Sequence, residues 1–131
     1  MQGGDNLIDI NYIINELISP IIRLESQFPS INSSFPLATV TTVSDISTEI
    51  HEGEERLSDI IVQLDVWDKH TAANQTRQRC ESLAIEVNAK MLESGFKRVF
   101  AQNFDESGMF RKCMRFSAEI DEYAKKIYRR N

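Results

Sequence analysis

The chain has 131 residues, of which 41% are hydrophobic and 27% charged, and its formal net charge is −5. A chain of this length is expected to form one domain, residues 1–131, with a two-layer core that needs no disulfide or metal. No segment approaches the roughly 20 apolar residues of a membrane span, and the first residues lack the features of a signal peptide, so we expect cytoplasmic synthesis and no membrane contact.

The charge is divided unevenly along the chain. Residues 1–70 contain twelve acidic and three basic residues, whereas residues 71–131 contain eight acidic and twelve basic residues. Such asymmetry can orient a partner or a second copy of the chain, although an ordinary solvated surface explains it about as well.

The first predicted element is a helix over residues 5–19. Its apolar residues recur with helical spacing, and Pro20 should end it because proline removes a backbone donor. Residues 26–36, rich in serine and containing two prolines, predict a loop.

A strand is predicted over residues 37–43, followed by a polar stretch over residues 45–58. This stretch is too charged to be buried and long for a connection, which is typical of a binding loop. Alternatively, part of it extends the flanking strands as a long hairpin around Glu52 and Gly53. Its acidic residues are candidate partner contacts, namely Asp45, Glu49, Glu52, Glu54 and Glu55.

The next strand, residues 59–70, alternates between an apolar face and a mixed face. The apolar face, predicted to be core, consists of Ile60, Val62, Leu64 and Val66. A helix is predicted from Thr71, a possible cap, to Ser94, and Gly95 suits the left-handed position after its end. The buried stripe of this helix is predicted to be Cys80, Leu83, Ala84, Val87 and Met91.

A hairpin completes the chain, with strands over residues 96–104 and 109–116. The fold class is therefore predicted as α+β, a four-stranded, mainly antiparallel sheet with two helices on one face, in the order α-β-β-α-β-β. The other face carries Trp67 and Arg115, which are candidate partner contacts, and Asp65 and Arg115 are predicted to pair there. For Trp67, packing within the subunit is an equally good interpretation.

The last residues, 122–131, form a basic extension. Its candidate contacts are Lys125, Lys126, Arg129 and Arg130. Such an end can dock on an acidic neighbour, although most chain ends are simply frayed.

The sequence contains no recognised catalytic or metal-binding spacing. The nearest groups are either Asp65, Asp68 and His70 or His51 beside Glu52, Glu54 and Glu55. Neither set has a recognised spacing, and in the first set the two aspartates should face opposite sides of a strand. We therefore expect no enzymatic activity, no cofactor and no metal site, and we expect Cys80 and Cys113 to be reduced thiols. Specific nucleic-acid binding is also not expected, because the bases of the long helix alternate with glutamates.

Four short segments resemble the tail-completion or tail-terminator proteins of long-tailed bacteriophages. They are Phe35-Pro36, residues 62–67, residues 95–98 and Arg115-Phe116. The resemblance covers most of the chain and implies a virion protein of the tail or neck, assembled in the host cytoplasm.

Several partners follow from this resemblance. It implies a hexameric ring of the chain itself, which closes the tail-tube protein and faces the head connector or stopper protein. DNA would pass through the ring without specific binding. The alternatives are another neck component, such as an adaptor or stopper, and an unrelated α+β interaction protein.

Overall fold

The structure is a computed structural model that describes residues 10–51, 54–121 and 126–128, with the backbone alone for residues 45–51, 54–56, 126 and 128. Its elements in chain order are α1 (Ile10–Ile18), β1 (Leu24–Glu25), β2 (Leu37–His51), β3 (Glu54–Lys69), α2 (Gln78–Glu93), β4 (Lys97–Glu106), β5 (Met109–Asp121) and β6 (Lys126–Tyr128).

One sheet contains all the described strands, in the order β1-β2-β3-β5-β4, with β6 paired to β5 beyond the first residue of β4. The four long strands are antiparallel neighbours, as predicted, whereas β1 runs parallel to β2. The α+β class is confirmed, but the sheet is mixed and has six strands rather than four. Strands of two or three residues are too short to leave an alternating pattern in the sequence.

Both helices cover the same face of this sheet, which confirms the predicted layers. Ile10, Ile14 and Ile18 of α1 are buried in one cluster with the α2 stripe and with the apolar face of β3. Each side chain so removed from water contributes about 1.5–3 kcal/mol before the entropy of ordering is subtracted. The core face of β3 predicted from the alternation is 0–2% exposed throughout.

The start of α2 differs from the prediction. Thr71 does not cap the helix but closes a small turn in which its hydroxyl accepts a hydrogen bond from the Asn74 amide, 3.1 Å away. Helical backbone begins only at Gln78, after Arg77, whose guanidinium donates to the carbonyl oxygens of Phe104 and Arg111 at 3.0 and 2.7 Å. These bonds anchor the beginning of α2 to the β4–β5 hairpin.

Two turns depend on left-handed backbone. Gly95 ends α2 with φ 104°, as predicted. Ser107 and Gly108 join β4 to β5 with φ 48° and 79°, the pattern of the two-residue turn whose twist matches an antiparallel hairpin.

The predicted acidic loop over residues 45–58 is wrong, and the hairpin alternative is right. The β2–β3 ladder continues from Leu37 opposite Trp67 to His51 opposite Glu54, with three register shifts in its distal half. In such a ladder the inward backbone groups of the two strands pair with each other and the outward ones can bond water, so a charged sequence does not prevent strand formation.

Candidate functional site

The face of the sheet without helices carries a small aromatic core. Trp67 is 1% exposed and packs with Leu37, Met109 and Phe35. Its indole N–H donates to the Thr39 hydroxyl at 3.0 Å. Trp67 therefore packs inside the subunit and has no free surface for a partner, which settles the two interpretations of this residue in favour of packing.

Phe28 and Arg111 complete the cover over Trp67. The Phe28 ring meets the indole edge-on at a centroid distance of 5.1 Å. The Arg111 guanidinium lies 5.1 Å from the Trp67 ring and also over Phe28 and Phe104, at 4.9 and 5.1 Å. Because its charge is spread over a plane, arginine can stack on rings while its edge donates hydrogen bonds.

Asp65 pairs with Arg111 and not with Arg115, so the predicted Asp65–Arg115 pair is wrong. The Asp65 carboxylate is fully buried and accepts from Arg111 Nε at 2.9 Å. Burial by itself lowers the pKa of Arg111, but the bonds to Asp65 and Glu106 raise it above its usual value. Arg111 therefore remains a cation in a mostly dry position.

Arg115 lies at the exposed end of the same network. It stands opposite Gln63 in the sheet, and its Nε donates to the Gln63 side-chain oxygen at 3.0 Å. The Gln63 amide nitrogen in turn donates to Asp65 at 2.8 Å. The Arg115 guanidinium also lies 5.5 Å from the centre of the half-exposed Phe100 ring.

Asp68 points to the helix face, opposite to Asp65, as the alternation predicted. Arg79 binds it through two nitrogens at 2.7 and 2.5 Å, and the Lys69 amide donates to it at 2.8 Å. Burial by itself raises the pKa of Asp68, yet these hydrogen bonds outweigh it and hold the pKa below its usual value. His70 lies edge-on to Phe110 at 5.4 Å and does not join the two aspartates.

No reactive nucleophile or metal cluster emerges in the part of the chain that the structure describes. Burial, with a smaller contribution from Asp65, raises the pKa of the Cys113 thiol to about 11, so this thiol stays protonated at neutral pH. Among those residues, no three His, Cys, Asp or Glu side chains are grouped so that they could hold a metal ion.

The acidic candidates of the hairpin occupy its distal half, and Glu52 lies outside the described residues. In the ladder, Asp45 stands opposite Ile60, Glu49 opposite Leu57, Glu54 opposite His51 and Glu55 opposite Ile50. The strands therefore bring these four acids to one end of the sheet.

One of the basic C-terminal candidates, Lys126, lies at the same end of the sheet. Lys126 stands in β6 opposite Asp121, which in turn stands opposite Leu57 of the hairpin. The other three, Lys125, Arg129 and Arg130, lie outside the described residues. At the position of Lys126, β5 therefore lies between β6 and the hairpin strand β3.

Two basic residues were not recognised as candidates from the sequence. Lys97 and Arg98 open β4, both are exposed, and neither makes an ion pair with any described residue. Both residues belong to the segment of residues 95–98 that carries part of the resemblance. Their accessibility to a neighbour follows only from the position of β4 at one edge of the sheet.

Comparisons with known proteins assign no family. No family model matches the chain, and no curated protein matches it significantly. Among the described residues, no helix has both the length and the apolar character needed to cross a membrane.

Proposed function

We propose that this protein is a structural subunit of a long-tailed bacteriophage virion, a tail-completion or tail-terminator protein. In this proposal it forms a hexameric ring on the last ring of tail-tube protein and joins the tail to the head connector or stopper protein. The ring belongs to the tail or neck of the virion and is assembled in the host cytoplasm.

The observation that carries the proposal is that the four segments of the resemblance belong to one structural unit. Phe35 packs against the Trp67 cluster, and Arg115 is hydrogen-bonded to Gln63 of the strand that ends in Trp67. Arg98 stands opposite Phe116 in the β4–β5 ladder. Three of the segments thus meet in one sheet and Phe35 packs against it, which supports a resemblance of the whole domain rather than four chance matches.

The chemistry of the buried charges supports a structural role. Asp65 and Asp68, the carboxylates nearest to a catalytic pair, face opposite sides of the sheet and are each engaged by an arginine. A general base needs a free lone pair within reach of a substrate proton. Here both carboxylates use theirs to fix the fold.

The acidic end of the hairpin suits a channel through which DNA moves. Glu54, Glu55 and Asp59 of β3 all lie near this end. Acidic residues around a lumen repel phosphates, so the duplex can slide without being held.

The proposal is tested by measuring the mass of the purified chain and imaging it by negative stain, with and without the tail-tube protein of the same phage. We expect closed rings, alone or on the ends of tubes, and tubes of uniform length when the chain is present. Rings that bind the head connector but ignore tubes would instead identify another neck component. A chain that neither forms rings nor binds tube or connector would refute the virion role.

A further inference from the structure

Two long strands have a free edge, on opposite sides of the sheet. β4 ends the strand order on one side, and no described strand pairs with its outer edge. On the other side, β1 pairs with β2 only at Ala38 and Thr39, so residues 40–51 of β2 have no partner on their outer side among the described strands.

Free edges of this kind are templates for pairing with another chain. Their backbone N–H and C=O groups point outward in a row, and proteins normally shorten, cover or distort such edges. Here both edges carry an exposed valine at a register shift, Val99 in β4 at 50% and Val43 in β2 at 44% exposure. These register shifts disfavour pairing with a regular, flat strand but still allow pairing with a strand of complementary shape.

We propose that β4 of one copy pairs with residues 40–51 of β2 in the next copy, so that one sheet continues from subunit to subunit around the ring. This inference rests on the proposed ring and identifies the surface that closes it. The contact is head-to-tail, since two different edges meet, and head-to-tail contacts are the kind that generate closed rings.

The direction of the pairing follows from the topology. Each step from β2 to β3, β5 and β4 reverses the strand direction, so β2 and β4 run opposite to each other. Rotation about a ring axis keeps every strand's direction relative to that axis. The β4 strand therefore meets the neighbour's β2 in antiparallel orientation.

Charge favours the same orientation. An antiparallel match brings Lys97 and Arg98, at the start of β4, to the later part of the neighbour's β2, where Asp45 and Glu49 stand. A parallel match would bring the acidic end of β4 toward Glu49, and like charges on facing strands are destabilising.

The lengths also agree. β4 has ten residues, and with Lys97 opposite Glu49 its last residue, Glu106, falls near Val40. At that point β1 begins to occupy the edge. β1 therefore acts as a stop that limits how far the incoming strand can slide.

The test uses two full-length variants with reversed edges. One carries Lys97→Glu with Arg98→Glu, and the other carries Asp45→Lys with Glu49→Lys. Each alone turns the attraction between the start of β4 and the later part of the neighbour's β2 into repulsion, which should raise the protein concentration needed for assembly about tenfold or more. Mixed in equal amounts they should form rings again, because an alternating ring restores opposite charges at every junction.

A matched control reverses the same number of bases elsewhere. Lys69→Glu with Lys90→Glu changes the net charge equally and should leave assembly unchanged, because neither residue lies on β4 or on the outer edge of β2. Assembly that is lost in this control but retained in both edge variants would overturn the proposal while leaving the ring itself intact. Thermal unfolding of each variant should stay close to that of the wild type, since Lys97 and Arg98 are exposed.

Amide exchange separates strand pairing from simple charge attraction. On assembly, exchange should slow in β4 and in residues 40–51 of β2 together. Unchanged exchange at both edges would overturn the strand pairing even if the charge variants behaved as expected. If the wild-type chain never forms rings, either alone or on tubes, both this inference and the proposed function are refuted.

Discussion

Replacing Trp67 with alanine tests whether the helix-free face holds a true core. The indole is 1% exposed, is covered edge-on by Phe28 and stacked by Arg111, and donates a hydrogen bond to Thr39. Truncating a buried tryptophan to alanine typically costs about 3–5 kcal/mol. Loss of the aromatic and cation–π contacts places Trp67→Ala in the upper part of that range.

This cost is large against the total stability of a domain, which is about 5–15 kcal/mol. For a chain of this size, each kcal/mol lowers Tm by roughly 3–6 °C. We therefore expect Trp67→Ala to unfold roughly 12–30 °C below the wild type in a thermal scan followed by circular dichroism. Trp67→Phe keeps most of the ring but leaves the Thr39 hydroxyl without its donor, so it should cost about 1–2 kcal/mol.

Phe28→Ala is the matched control, because Phe28 touches the same cluster from outside and is 52% exposed. It should cost about 1 kcal/mol, in proportion to its smaller buried area. Trp67 is the only tryptophan of the chain, so its emission should be typical of a buried indole and should shift to longer wavelength in Phe28→Ala. Equal stability losses for Trp67→Ala and Phe28→Ala would refute the assignment of Trp67 to a core.

Two further predictions concern a charge and a turn. Since the pKa of Asp68 lies below 3.8 in the folded protein, the stability that it contributes is fully present above about pH 5 and is lost as the pH falls through the folded-state pKa. Asp68→Asn should therefore lower the free energy of unfolding by about 1–2 kcal/mol at pH 7. In urea unfolding, the difference in stability between this variant and the wild type should become smaller below pH 4. A difference that does not change with pH would contradict the ion pair. Gly108→Ala should lower the free energy of unfolding by about 1–2 kcal/mol, because a φ of 79° is strained for a residue with a Cβ. Gly108→Asn should lower it less, since asparagine tolerates this backbone conformation better. Equal stability losses in the two variants would mean that contacts of the side chain, and not φ, determine the effect.

Periodicity predicted the parts of the fold that face the helix-side core. The alternation from Ile60 to Val66 and the stripe through Ala84 and Val87 are visible in the sequence because burial on one side imposes a regular apolar spacing. The same logic failed for the distal hairpin. Its strands are joined by backbone pairing, and its polar sequence carries no alternating apolar pattern that would mark them.

The partner of Asp65 could not be predicted because it depends on the register between strands far apart in the chain. The β3–β5 ladder sets Cys113 opposite Asp65, so Arg111 and Arg115 are its two diagonal neighbours. Nothing in the sequence distinguishes these two arginines. The sequence also does not reveal which strands have free edges, because this depends on the strand order and not on any local pattern.

The arrangement of the ladders also divides folding into fast and slow steps. The β2–β3 and β4–β5 ladders join strands that are close in sequence, and short loops close rapidly. The β3–β5 ladder, where Asp65 faces Cys113, joins strands separated by the whole of α2. Contacts at such sequence separation slow folding, because the entropy of closing the loop is lost before they form. We therefore expect the two hairpins to form early and their meeting across β3 and β5 to limit the folding rate.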